Sequence, residues 1–183
     1  MEISDGTYNI PREDKIKYIT EFSKEFYVLS EVGKKDIDEA DHMPISQWID
    51  EIHHDLAAGA QKVILESREN GKSGICDIDG NLREDLVSSI SNSRFRASDA
   101  IWEAPNKMLQ TSLIGAIGPN VNLANIPFGD VIGLETLRLG IRSDTFNLYD
   151  ASRLKASTQR EEINPEYTRR ASEDNLPEAN TSI

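Results

Sequence analysis

Short apolar runs recur along this chain, each followed by a helical pattern, and that alternation leaves few folds open. Phe26-Tyr27-Val28-Leu29, Lys62-Val63-Ile64-Leu65, Ala100-Ile101-Trp102 and Asn120-Val121-Asn122-Leu123 read as strands, and Met1-Glu2-Ile3 as the end of another. Their aromatic and β-branched content supports that reading. Each run is too short and too apolar for a strand with one wet face, which predicts a buried parallel sheet. Between them lie amphipathic patterns. Ile16, Ile19 and Phe22 follow Pro11; Trp48, Ile52 and Leu56 follow a cap at Ser46 and stop at Gly59. Leu82, Leu86 and Ile90 mark a third helix. Leu109, Leu113 and Ile117 mark a fourth, closed by Gly118-Pro119, and Leu134, Leu137 and Ile141 a fifth, capped by Asp130. Strands alternating with helices, without a strong hairpin signal, are βαβ units. After Phe146 the periodicity stops, and the polar stretch 147–183 reads as a disordered tail, with a short helix near Ala151 to Glu162.

Charge narrows the function. Twenty Lys and Arg against 32 Asp and Glu leave a net charge of −12. That balance opposes sequence-independent binding to nucleic acid and docking on anionic membranes, both of which need surplus cations. No apolar run is long enough to span a bilayer and the N-terminus lacks a signal layout, so the expected location is cytoplasmic. The single cysteine, Cys76, can form neither an internal disulfide nor a thiolate metal site, and reads as a small, buried or half-buried, unreactive residue in a reducing compartment.

The strand-like runs end in acids. Glu31 follows Val28-Leu29-Ser30, Glu66 follows Leu65, Glu103 follows Trp102, and Glu2 follows Met1. The Asn120 run delivers Asn122 and Asn125. In a parallel α/β fold such positions gather at the carboxyl ends of the strands, where ligands bind. One Glu there is often the first solvated residue of a loop; four in one register suggest a set. Clustered carboxylates repel, and a divalent cation or a basic side chain relieves them. Mg²⁺ suits oxygen ligands and keeps positions open for substrate. Lys34 and Lys35 follow Gly33, and Arg68 follows Glu66; such cations can reach an anionic substrate, but spacing alone favours a pair of exposed loop lysines at 34 and 35. Arg138 and Arg142 read as a solvated, salt-bridged face with Glu135 and Asp144. His53-His54 point apart on a helix and suggest no zinc site. Gly71, Gly74 and Gly80 lack phosphate-loop spacing, and there is no Gly-x-Ser-x-Gly elbow.

Taken in order, Glu2-Ile3-Ser4-Asp5-Gly6-Thr7, Val28-Leu29-Ser30-Glu31-Val32-Gly33-Lys34-Lys35-Asp36, Val63-Ile64-Leu65-Glu66-Ser67-Arg68-Glu69 and Trp102-Glu103-Ala104-Pro105-Asn106-Lys107 resemble the phosphosulfolactate synthase family. So do the stretch from Gly118 to Ile126 and that from Leu134 to Thr145. The resemblance runs from Met1 to about Phe146. It implies a (β/α)₈ TIM barrel that adds sulfite to phosphoenolpyruvate with Mg²⁺ as cofactor, giving (2R)-phospho-3-sulfolactate, a carbon–sulfur lyase reaction feeding coenzyme M or sulfolactate formation. It implies Lys35 as general acid and places Glu31, Glu66 and Glu103 at the barrel mouth as metal ligands, with Arg68, Asn122 and Asn125 at the substrate.

A barrel of this kind runs to about 250 residues, and the match begins at what reads as the fourth strand. The expected fold is therefore a partial barrel (1–146) lacking its first three βα units, followed by the tail (147–183). Such a chain is expected to associate with itself or form an open sheet, without synthase activity; a homo-oligomer stays open. Two alternatives stand beside the enzyme: a non-catalytic barrel homologue similar to the plant heat-stress proteins, and an inactive fragment.

Overall fold

The computed structural model describes residues 1–4, 10–34, 43–67 and 72–149. Its strands are β1 (Glu2–Ile3), β2 (Leu29–Val32), β3 (Lys62–Leu65), β4 (Ala100–Glu103) and β5 (Leu123–Ala124). The helices are α1 (Arg12–Phe22), α2 (Ile45–Ala57), α3 (Glu84–Ser91), α4 (Lys107–Ile117), α5 (Val131–Arg138) and the single turn α6 (Ser143–Phe146). The five strands form one sheet in the order β1-β2-β3-β4-β5, every pair parallel. Neighbours in sequence are thus neighbours in the sheet, as in one arc of a (β/α)₈ barrel.

Register decides which side chains share a face. Ser30 lies opposite Val63, Val63 opposite Ala100, Leu65 opposite Trp102, and Trp102 opposite Leu123. Because side chains alternate along a strand, Val32, Val63, Leu65, Ala100, Trp102 and Leu123 fall on one face. There they meet Trp48 and Ile52 of α2, Leu86 and Ile90 of α3, and Leu109 and Leu113 of α4 in the main core. A smaller cluster joins Ile3, Ile19, Val28 and Ala60. The opposite face, free of these helices, carries Glu2, Leu29, Glu31, Lys62, Ile64, Ile101 and Glu103.

Several boundaries differ from those the sequence suggests. The strand expected over Phe26–Leu29 begins only at Leu29, while Phe26 and Tyr27 are exposed. Phe26 instead extends the end of α1, its ring meeting that of Phe22 edge-on at 6.3 Å. The Asn120 run pairs only at Leu123 and Ala124. Ser46 sits inside the first turn of α2, which follows Pro44. Leu82 lies before α3, in an antiparallel bridge with Cys76. The connection is a tight turn closed by the Asp77 carboxylate, which accepts the backbone N–H groups of Asp79 and Asn81. Asp130 precedes α5 without a side-chain capping bond, and Ile141 lies beyond that helix, exposed. The described chain also runs three residues past Phe146: Asn147–Tyr149 forms a 3₁₀ turn whose Leu148 packs on the core beside Gly115. The rest of the expected tail lies outside the described residues.

Candidate metal and substrate site

Glu31, Glu66 and Glu103 come together. Glu31 stands within β2, Glu66 immediately after β3, and Glu103 ends β4. All three project from the helix-free face at the carboxyl side of the sheet. Each offers a carboxylate oxygen within 4.8 Å of the others, and all three are buried. Among the described residues this is the one such grouping of three or more His, Cys, Asp or Glu side chains. An all-oxygen donor set of this size matches a hard divalent cation such as Mg²⁺.

The backbone around the acids explains how they are held. The Lys15 ammonium of α1, itself buried, donates to the Glu31 carbonyl and pairs with Asp55 of α2 at 3.3 Å. Asp55 has no exposed surface; it also accepts the Ser30 hydroxyl and pairs with Arg12 at 2.6 Å. Two helices are thereby tied to β2 directly beneath Glu31. Ser4 Oγ donates to Glu31 Oε1 at 3.1 Å.

Glu66 is flanked by two glycines. A Cβ at Gly33 would lie 2.6 Å from the Trp48 ring and 2.9 Å from Glu66 Cβ; one at Gly74 would lie 1.9 Å from the Glu66 carbonyl oxygen. Both glycines have positive φ, +123° and +68°, where a side chain would be strained. The same Glu66 carbonyl accepts the Ile75 N–H at 2.9 Å. Glu103 is oriented from both sides. Its Oε2 accepts the Ser67 backbone N–H at 3.0 Å and its Oε1 accepts Asn125 Nδ2 at 2.8 Å. Ser67 Oγ returns to the Glu103 carbonyl at 3.0 Å.

The remaining candidates separate. Glu2 is exposed at the start of β1, opposite Leu29, and does not join the three acids. Asn122 shares their face of the sheet, but its amide donates to the Ser98 and Ala100 carbonyls at 3.2 and 3.1 Å, toward the amino ends of the strands. Lys34 is half-buried next to Gly33. Lys35 and Arg68 lie outside the described residues.

Arg138 is not part of a salt-bridged face: its guanidinium donates to the Pro119 and Val121 carbonyls, packing α5 against the segment before β5. Asp144 pairs instead with Lys107 at 2.8 Å, and that bond holds its carboxyl below the usual range. His53 stacks edge-on against Phe95 while His54 is exposed, so the two diverge as helical neighbours must. Cys76 is buried, and burial pushes its thiol up to about 12. No helix among the described residues is long and apolar enough to cross a membrane.

The profile of the (2R)-phospho-3-sulfolactate synthase (ComA) family matches residues 1–144. The chain belongs to that family. It is 53% identical over 148 residues to the phosphosulfolactate synthase of Bacillus subtilis (strain 168), an alignment covering 81% of this chain and 59% of that protein. The phosphosulfolactate synthase of Methanothermobacter thermautotrophicus is 44% identical over 147 residues, covering 79% of this chain and 57% of the relative. That of Methanocaldococcus jannaschii is 43% identical over 148 residues, covering 80% and 59%. The chain thus spans less than three fifths of the length of these curated relatives. The three glutamates and the residues that hold them all lie inside the matched segment.

Proposed function

We propose that the chain carries the carboxylate-bearing part of a synthase site at which sulfite adds to phosphoenolpyruvate, giving (2R)-phospho-3-sulfolactate. The reading rests on the buried group of Glu31, Glu66 and Glu103, gathered at the carboxyl side of three adjacent strands, in a chain that belongs to this family. The chain spans under three fifths of its curated relatives, so the reading covers what its own residues contribute. On this reading it forms the later part of a (β/α)₈ barrel, and three leading βα units would supply the rest of the pocket.

Three carboxylates this close repel one another, and Glu31, Glu66 and Glu103 are the residues that would hold Mg²⁺ between them. Bound there, the ion would supply electrostatic stabilisation of the negative charge that develops on the substrate carboxylate. The protein's own groups do the rest. Sulfite's sulfur bonds to the methylene carbon of phosphoenolpyruvate, and the electron pair of the carbon–carbon double bond moves toward the carboxylate. Lys35 then delivers a proton to the central carbon as general acid. Arg68 and the backbone N–H groups of Asn125, Ile126, Phe128 and Gly129 bind the phosphate. Asn122, whose amide is committed to backbone carbonyls, has no part in this reading.

The test joins residues 1–183 to the three leading βα units of the Bacillus subtilis relative and follows sulfite-dependent loss of phosphoenolpyruvate with Mg²⁺. Activity that disappears in Glu66→Gln supports the reading. A folded, joined protein with no turnover refutes it. The chain alone is expected to be inactive.

A further inference from the structure

Asn125 is the sole residue other than glycine with a positive φ among the described residues, at +58°. It follows β5 directly, at the point where the Ala104 N–H bonds to the Ala124 carbonyl at 2.9 Å and the ladder ends. Left-handed backbone is disfavoured for L-residues, and Asn is among the few side chains that tolerate it. The turn throws the amide back across the end of β4, where Nδ2 meets Glu103 Oε1 at 2.8 Å. The other oxygen of Glu103 is already fixed by the Ser67 N–H. Glu103 is buried, whereas Asn125 is exposed. The amide therefore fills no core space, and its defined contact is with the carboxylate.

We propose that Asn125 is a positioning residue, which acts through Glu103 by fixing the plane of that carboxylate toward Glu31 and Glu66. With one oxygen held by Ser67 and the other by Asn125, the carboxylate cannot rotate about its last bond without breaking a hydrogen bond. The carboxylate plane is thereby set toward a cation shared with the other two acids. Partners of metal-ligating carboxylates commonly govern affinity in this way, and their loss weakens binding by about 10–100-fold. The inference rests on the metal reading above and adds to it a specific donor.

The test uses the full chain and Mg²⁺ alone, titrated calorimetrically into wild type, Asn125→Gly and Asn125→Ala, with the melting temperature of each. Glycine keeps the left-handed backbone and removes the amide; alanine removes the amide and strains the backbone. The expected result is Mg²⁺ affinity at least about tenfold weaker in both variants, with a near-normal melting temperature in Asn125→Gly and a lower one in Asn125→Ala. If Asn125→Gly binds Mg²⁺ as wild type does, Asn125 serves only the turn and the inference is overturned while the metal reading stands. If the wild-type chain takes up no Mg²⁺, the metal reading falls and the inference with it.

Discussion

Alanine at Gly74 should dislodge Glu66 by colliding with its backbone. The new Cβ would stand 1.9 Å from the Glu66 carbonyl oxygen and 2.7 Å from its carbonyl carbon, both backbone atoms. No side-chain rotation relieves that overlap, so one of the two segments must move. Holding alanine at the φ of +68° costs about 1–2 kcal/mol, and overpacking adds about 1–3 kcal/mol. The carbonyl that is pushed away is the acceptor of the Ile75 N–H, and stranding that donor costs about 1–3 kcal/mol more. The sum, about 3–8 kcal/mol, is a large share of the roughly 5–15 kcal/mol available to a domain. Thermal unfolding should show a loss of about 6 °C or more, taking about 2 °C per kcal/mol for a chain of this size. Gly133→Ala is the matched control: Gly133 lies in α5 with nothing within 4 Å of its Cβ, and the change should stabilise by about 0.5–1 kcal/mol. A Gly74→Ala protein that melts within about 2 °C of wild type, a shift worth no more than about 1 kcal/mol, would refute the account of how Glu66 is held.

In the joined barrel, Lys35→Ala should lower turnover by about 10²–10⁴-fold with little change in fold, and Lys34→Ala far less; equal small effects would make both ordinary loop lysines. The Cys76 thiol, raised to about 12 by burial, ionises more readily in the unfolded chain than in the folded one. Its contribution to stability is present below the ordinary thiol pKa and is lost as pH rises toward 12, so Cys76→Ser should flatten the alkaline fall in urea midpoint. Removing residues 151–183 should leave the melting temperature nearly unchanged, whereas Leu148→Ala should lower it, since Leu148 packs on the core beside Gly115.

The acids were legible because a parallel sheet turns a sequence position, the residue ending an apolar run, into a place in space. Glu31, Glu66 and Glu103 each end such a run and each arrives. Asn122 does not, because its run pairs only at Leu123 and Ala124, which leaves Asn122 ahead of the strand rather than past it. The beginning of β2 was misplaced for a related reason. Phe26 and Tyr27 have strand-like side chains, but the backbone there still belongs to the end of α1, with the Phe26 N–H bonded to the Phe22 carbonyl. Charged residues in the core were harder to see. In α1 the buried positions are Lys15 and Ile19, and a hydrophobicity pattern assigns a lysine to water. The fully buried Asp55, on another helix, and the Glu31 carbonyl explain it. The two glycines beside Glu66 had no legible role either, because close approach between segments 33, 66 and 74 is a product of the fold. Ser67 and Asn125 owe their hold on Glu103 to adjacent strands, which no local spacing encodes.

The strictly sequential strand order has a consequence for chain entropy. The paired residues Ile3 and Ser30, Ser30 and Val63, Val63 and Ala100, and Trp102 and Leu123 are separated by 27, 33, 37 and 21 positions in turn. Loop closure rises only as about 1.5RT times the logarithm of length, so the longest and shortest of these differ by about 0.5 kcal/mol. Each seam closes on a loop of similar modest size, and none joins distant parts of the chain. Every strand therefore meets its partner within one βα unit of its own emergence.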